Sequence, residues 1–148
     1  MTAGVPTVGP IQDSLERIGL SLGAAAGKAK LFSAAASALT ALAGNPGPVS
    51  HWWVPGRLEF LGKHTDYCAG RSILAAVERG VCFCSAPRTD SRLRVLDVAS
   101  GELADLHLSA QATADTPSWA VYPATVGRRL AAGFPGPLRG ADVAFISD

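Results

Sequence analysis

Residues 55–67 read Pro-Gly-Arg-Leu-Glu-Phe-Leu-Gly-Lys-His-Thr-Asp-Tyr, and no other stretch limits the architecture as much. Gly56 and Gly62 bracket a small apolar insert, Leu58 to Leu61, that reads as a brief strand. Gly62 then permits a tight turn. The turn delivers Lys63, His64, Asp66 and Tyr67, with Arg57 just upstream. A cation, an imidazole and a carboxylate on one turn suit a ligand with many hydroxyls or a phosphate. The plain alternative is a polar surface turn between two strands. For Asp66 that alternative is an aspartate that stabilises its own turn.

The flanking sequence predicts strands on both sides. His51–Val54 reads as a strand entering the motif. Arg71–Ala76 is an apolar run, and Val81–Ser85 reads as a buried strand. Leu93–Val98 is the next strand, and Ser100-Gly101 turns the chain into a return strand, Glu102–Leu108. Residues 118–132 repeat large side chains at Trp119, Tyr122, Val126 and Leu130, the spacing of one helix face. Ala141–Ile146 is the final strand.

Upstream, Ile11–Ala43 is alanine-rich and favours helix, with Asp13 or Ser14 as a cap. Gly19, Gly23 and Gly27 weaken it. One helix, or two with a break near Gly23–Gly27, both fit. Residues 1–10, rich in Gly, Pro and Thr, are expected to be mobile. Asn45-Pro-Gly-Pro48 ends the helix. The chain therefore divides into 1–48, a mobile start and a helical segment, and 49–148, a strand-rich unit. Strands followed by one helix and a strand are not alternating βαβ units. The expected class is α+β, a mixed or antiparallel sheet with helices on one face.

Composition narrows the function classes. The 148 residues are 48% hydrophobic and 17% charged, which suits a globular chain. Net charge is +1, so there is no global pull toward nucleic acid or anionic membrane. Arg88, Arg92 and Arg94 are expected on a solvated strand face. Cys82 and Cys84 are two apart in an apolar run, a spacing that suits neither zinc nor a redox pair. They are expected to be reduced and buried, in a reducing compartment. Lys28 and Lys30 interrupt the only long apolar segment, so no membrane span is expected. The apolar stretch after Lys30 begins too far in for a secretory signal. A cytoplasmic location follows.

The stretch 55–67 resembles the sugar-binding signature of galactokinases, in the GHMP family of small-molecule kinases. That pattern runs Pro-Gly-Arg-x-Asn-hydrophobic-hydrophobic-Gly-Glu-His-x-Asp-Tyr. Pro55, Gly56, Arg57, Gly62, His64, Asp66 and Tyr67 match it. Glu59 stands where the family has Asn, and Lys63 where it has Glu. Ala69–Gly80 is similar to the segment after the signature, and 140–148 is similar to the strand that enters the phosphate loop. On this resemblance, 49–148 is an incomplete N-terminal domain of a GHMP kinase fold.

The resemblance implies ATP-dependent phosphorylation of a monosaccharide, galactose or a relative, with ATP and Mg as cofactors. It gives His64 and Asp66 to sugar hydroxyls, with Lys63 and Tyr67 beside them. Arg57 is the catalytic candidate, toward the transferring phosphate or the attacking oxygen, because its planar fork suits that role better than lysine. Lys63 can only donate hydrogen bonds, which puts the sugar's identity in question. Trp119 and Tyr122 are either core packing or neighbours of the adenine. The Gly/Ser-rich phosphate loop and the catalytic Asp lie beyond the matched part, and magnesium ligands are expected with them. No metal ligand is expected within the chain. Three functions stay open: a sugar kinase seen as its N-terminal fragment, a non-catalytic sugar-binding regulator, and an inactive remnant.

Overall fold

The computed structural model describes residues 8–111, 117–134 and 136–148. Two helices come first, α1 (Val8–Arg17) and α2 (Leu22–Ala43). Strands follow as β1 (Ser50–Leu61), β2 (Ile73–Pro87), β3 (Arg92–Asp97) and β4 (Leu103–His107). A 3₁₀ turn at Ser118–Ala120 leads into α3 (Val121–Gly133), and β5 (Ala141–Ser147) ends the order. The five strands lie in one sheet, β1-β2-β5-β3-β4. Among the described strands only β3 and β5 pair in parallel, so the sheet is mixed and the class is α+β.

The helix break falls earlier than Gly23–Gly27. It lies at Gly19, whose φ of +102° needs a residue without a side chain. Ser21 caps α2 by accepting from the Ala24 amide. Glu78 holds this cap from the sheet, accepting from both the Ser21 amide and its hydroxyl. Gly23 and Gly27 are ordinary helical residues inside α2. The other helix begins at Val8, not near Asp13, so Pro10 sits in its first turn, where a missing N–H costs nothing. Residues 1–7, expected to be mobile, lie outside the described residues.

The main core lies between α1–α2 and one sheet face. Phe32, Ala35 and Leu39 of α2 meet Cys82, Cys84 and Ala144. Both thiols are fully buried and free, and burial pushes them up to about 11 and about 12. Lys28 of α2 is 1% exposed and pairs with Asp148, whose other oxygen accepts from the Gly80 amide.

The third helix lies on the opposite face, whereas the sequence pattern put all helices on one. Ala120 joins Ala104 and Leu106 in a second small core, with Leu93, Trp119 and Ala124 packed around it. The stripe of large side chains on α3 also points away from the sheet. Tyr122, Val126 and Leu130 are exposed, and Gly127 is buried instead. Small residues let the helix come close: a Cβ at Gly127 would stand 2.9 Å from Leu108 Cδ2. Trp119 belongs to the 3₁₀ turn, so its phase differs from the α-helix after it.

Arg88 and Arg94 do not lie on a solvated face. Both converge on Asp142 of β5, which is 4% exposed. Arg92 pairs with Asp105 across the β3–β4 ladder at the surface.

Candidate sugar-binding turn

β1 and β2 run far past the other strands. β2 pairs with β5 only from Val81 to Pro87, so in the sheet ladder Ile73–Arg79 pairs with β1 alone, with Glu78 tied to Ser21 beside it. The expected brief strand Leu58–Leu61 and the strand His51–Val54 are one continuous β1. Two register shifts, between Pro55 and Arg57 and between Glu59 and Leu61, twist the ribbon along its length. Gly80 lets the strands pass closely: a Cβ there would stand 2.9 Å from Pro55 Cα. The signature turn sits at the free end of this ribbon.

The turn is built locally. Gly62 has φ +90°, and a Cβ on it would stand 2.7 Å from Ser72 Cα. Lys63 and His64 follow, then the 3₁₀ turn Thr65–Cys68. His64 and Ala69 take left-handed φ values of 63° and 55°, unusual for residues with a Cβ. Thr65 holds the loop shut. Its hydroxyl faces the carbonyls of Gly62 at 2.8 Å and Arg71 at 3.1 Å, and its carbonyl accepts from the Gly70 amide at 2.8 Å. Thr65 is not among the residues that the motif pattern singles out. The available signal was a threonine three residues after a turn glycine, a spacing at which its hydroxyl meets backbone.

The structure brings two of the candidate residues together. The rings of His64 and Tyr67 stack at 5.8 Å and 12°. Tyr67 is 80% exposed, and Lys63 and His64 are also exposed. Arg57 stands back in β1, exposed, with Ala76 across the ladder. The backbone of Asp66 lies in the 3₁₀ turn, and its side chain lies outside the described residues. The other two candidates part company. The Trp119 indole donates to Glu102 at 2.7 Å and packs on Phe145 at 5.6 Å. Tyr122 is 81% exposed. The exposed turn offers a ligand the Lys63 ammonium, an imidazole and an aromatic ring, with Arg57 set back along β1.

Residues 38–87 match the family model described as the galactokinase galactose-binding signature. The matched span centres on this ribbon and its turn. These residues are a galactokinase-type signature region. The galactokinase of Actinobacillus pleuropneumoniae serotype 5b is 31% identical over 96 residues, 65% of this chain and 25% of that protein. The galactokinase of Chloroflexus aurantiacus is 32% identical over 94 residues, 64% of this chain and 24% of that one. That of Roseiflexus sp. strain RS-1 is 42% identical over a shorter span of 53 residues. The chain thus spans about a quarter of the length of the curated galactokinases it matches first. Among solved structures, Lactococcus lactis galactokinase complexed with galactose superposes with a TM-score of 0.60. That match covers 74% of this chain and 29% of the other, at 21% identity, and speaks for the fold.

Among the described residues, no group of three or more His, Cys, Asp or Glu is placed to hold a metal ion. No described helix is long and apolar enough to cross a membrane.

Proposed function

We propose that this chain supplies the sugar-binding part of an ATP-dependent sugar kinase of galactokinase type, with galactose or a close relative as substrate. The observation that carries the proposal is the coincidence of the matched signature with a closed turn at a ribbon tip. There Lys63, His64 and Tyr67 all stand exposed beside one another in sequence.

In this reading His64 and Asp66 meet sugar hydroxyls, and the Tyr67 ring packs against the His64 imidazole and keeps it oriented. Arg57 neutralises charge on the phosphoryl group or the attacking oxygen, the positioning and electrostatic work that phosphoryl transfer asks of a protein. Tyr122 and Trp119 lie toward the nucleotide side. Tyr122, being exposed, has its ring free for an adenine, whereas Trp119 is engaged by Glu102 and Phe145. ATP phosphates and magnesium are held by parts of such kinases that the matched quarter does not include.

The test is galactose titration followed by backbone amide spectra of the 148-residue chain. Shifts are expected at Gly62–Tyr67, and they vanish in His64→Ala while the remaining spectrum is unchanged. Shifts confined to other regions would refute the assignment. A coupled ADP-release assay on the same chain is expected to show no turnover. Turnover abolished by Arg57→Ala would mean that this quarter suffices for catalysis.

A further inference from the structure

We propose that the outer edge of β1 pairs with the same edge of a second copy of this chain, antiparallel and centred on Leu58. The strand order leaves β1 at one end of the sheet. From Arg57 to Leu61 every residue is exposed, and Leu58 and Phe60 keep 55% and 72% of their surface. An exposed strand edge with apolar side chains is a template for pairing with another chain. The other end of the sheet is less suited, because β4 is short and its Asp105 is already paired with Arg92.

Charge selects the occupant. Arg57 and Glu59 are two apart and hold a regular register against Ala76 and Leu74, so both side chains lie on one face. Among the described residues neither forms an ion pair within the chain. In an antiparallel pairing about Leu58, Arg57 of each copy stands opposite Glu59 of the other, so the match is made twice. Leu58 meets Leu58 on the opposite face. Opposite charges directly across a ladder stabilise it, and like charges destabilise it. The same register sets Phe60 opposite Gly56, a ring beside a residue with no side chain. Pro55 has no N–H to give, so the ladder is expected to run only from Gly56 to Phe60.

Charge also selects the direction. A parallel pairing in register would set Arg57 against Arg57 and Lys63 against Lys63. The antiparallel one sends the two ribbon tips opposite ways and holds their Lys63 residues roughly 30 Å apart at the strand rise per residue. Salt screens charges beyond about 10 Å, so the tips do not oppose the contact. So short a ladder lies at the small end of specific interfaces, under about 1,200 Å² in total, and the dissociation constant is expected on the order of 10–100 µM. Pairing engages the arginine that the sugar-kinase reading gives to the phosphoryl group. It does not rest on that reading, because its readout is molecular mass with neither sugar nor nucleotide present.

Sedimentation equilibrium on the 148-residue chain, at concentrations spanning that range, should show the 15.2 kDa monomer passing reversibly into a dimer. Arg57→Glu alone and Glu59→Arg alone each set like charges across the ladder twice, and should weaken self-association at least about tenfold. Mixed together, these two variants should recover wild-type association, since one brings carboxylates at both positions and the other brings cations. The double variant, with the two charges exchanged, should also dimerise like wild type, which a folding defect in either single variant would not allow. A wild-type chain that stays monomeric, single variants that dimerise as well as wild type, or a mixture that does not associate would overturn the proposal. So would assembly that grows past the dimer, the behaviour of a general apolar patch.

Discussion

Replacing Asp142 by Asn should destabilise the chain more than any other single charge removal at the sheet. Asp142 sits on β5, between β2 and β3, opposite Ala86 and Arg94. Its carboxylate accepts from Arg94 Nε at 2.6 Å and Nη2 at 2.8 Å, a two-pronged pair, and from Arg88 Nη1 at 3.1 and 3.2 Å. Arg94 also reaches the Leu42 carbonyl near the end of α2, so the cluster ties strand to helix. Asn keeps the shape but presents an amide N–H₂ to one of two donors. Charged hydrogen bonds contribute about 1.5–3 kcal/mol each, and unpairing a buried charge costs about 3–5 kcal/mol. Both arginine side chains keep 22% exposure and can turn partly to water, which lowers the total. The expected loss is ~2–4 kcal/mol. Urea unfolding measures it as a lower midpoint at unchanged slope. Asp105→Asn is the control: its pair with Arg92 is exposed and should cost under about 1 kcal/mol. Equal losses at Asp142 and Asp105 would refute the argument, because the two arginines would then be as well solvated as Arg92.

The same cluster sets an acid dependence. Arg94, then Arg88, hold the Asp142 carboxyl below the ordinary aspartate value, against the opposing effect of burial. A folded pKa below the unfolded one means the unfolded chain binds protons first as pH falls. The contribution is complete above the unfolded value of about 3.9 and is lost as pH drops through the folded value. Wild type should therefore lose stability on acidification below about pH 4, and Asp142→Asn should lack that part of the slope.

Three further outcomes follow from the turn and the core. Native chain treated with a thiol reagent at pH 8 should label Cys68 and spare Cys82 and Cys84, whose thiols are buried and pushed up to about 11 and about 12; labelling of all three before unfolding would contradict this. Gly62→Ala should abolish galactose-induced shifts while α2 and the sheet keep their spectra, since the strain is local to the ribbon tip at φ +90°; an unaltered titration would show that the turn relaxes freely. Lys63→Glu should shift preference toward galactose over galacturonate in binding, because a donor-only cation becomes an acceptor; an unchanged ratio would show that Lys63 does not contact the sugar.

The turn at 62–67 was legible in sequence because its determinants are local: a glycine that permits the tight turn and side chains that follow one another; the Thr65 hydroxyl that closes it emerged only from the structure. The strands around Val81–Ser85, Leu93–Val98 and Ala141–Ile146 were legible for a similar reason, as short apolar runs between turn residues. Tertiary structure alone decided the rest. The break at Gly19 rather than Gly23 depends on Glu78 holding the Ser21 cap from 57 residues away. Arg88 and Arg94 look like surface residues until β5 brings Asp142 between them, 54 and 48 positions downstream. The inward face of α3 is its small one, because close approach to β4 favours Ala and Gly over the larger stripe at Tyr122, Val126 and Leu130. Periodicity reports which residues share a face, but only packing partners determine whether that face is turned in or out.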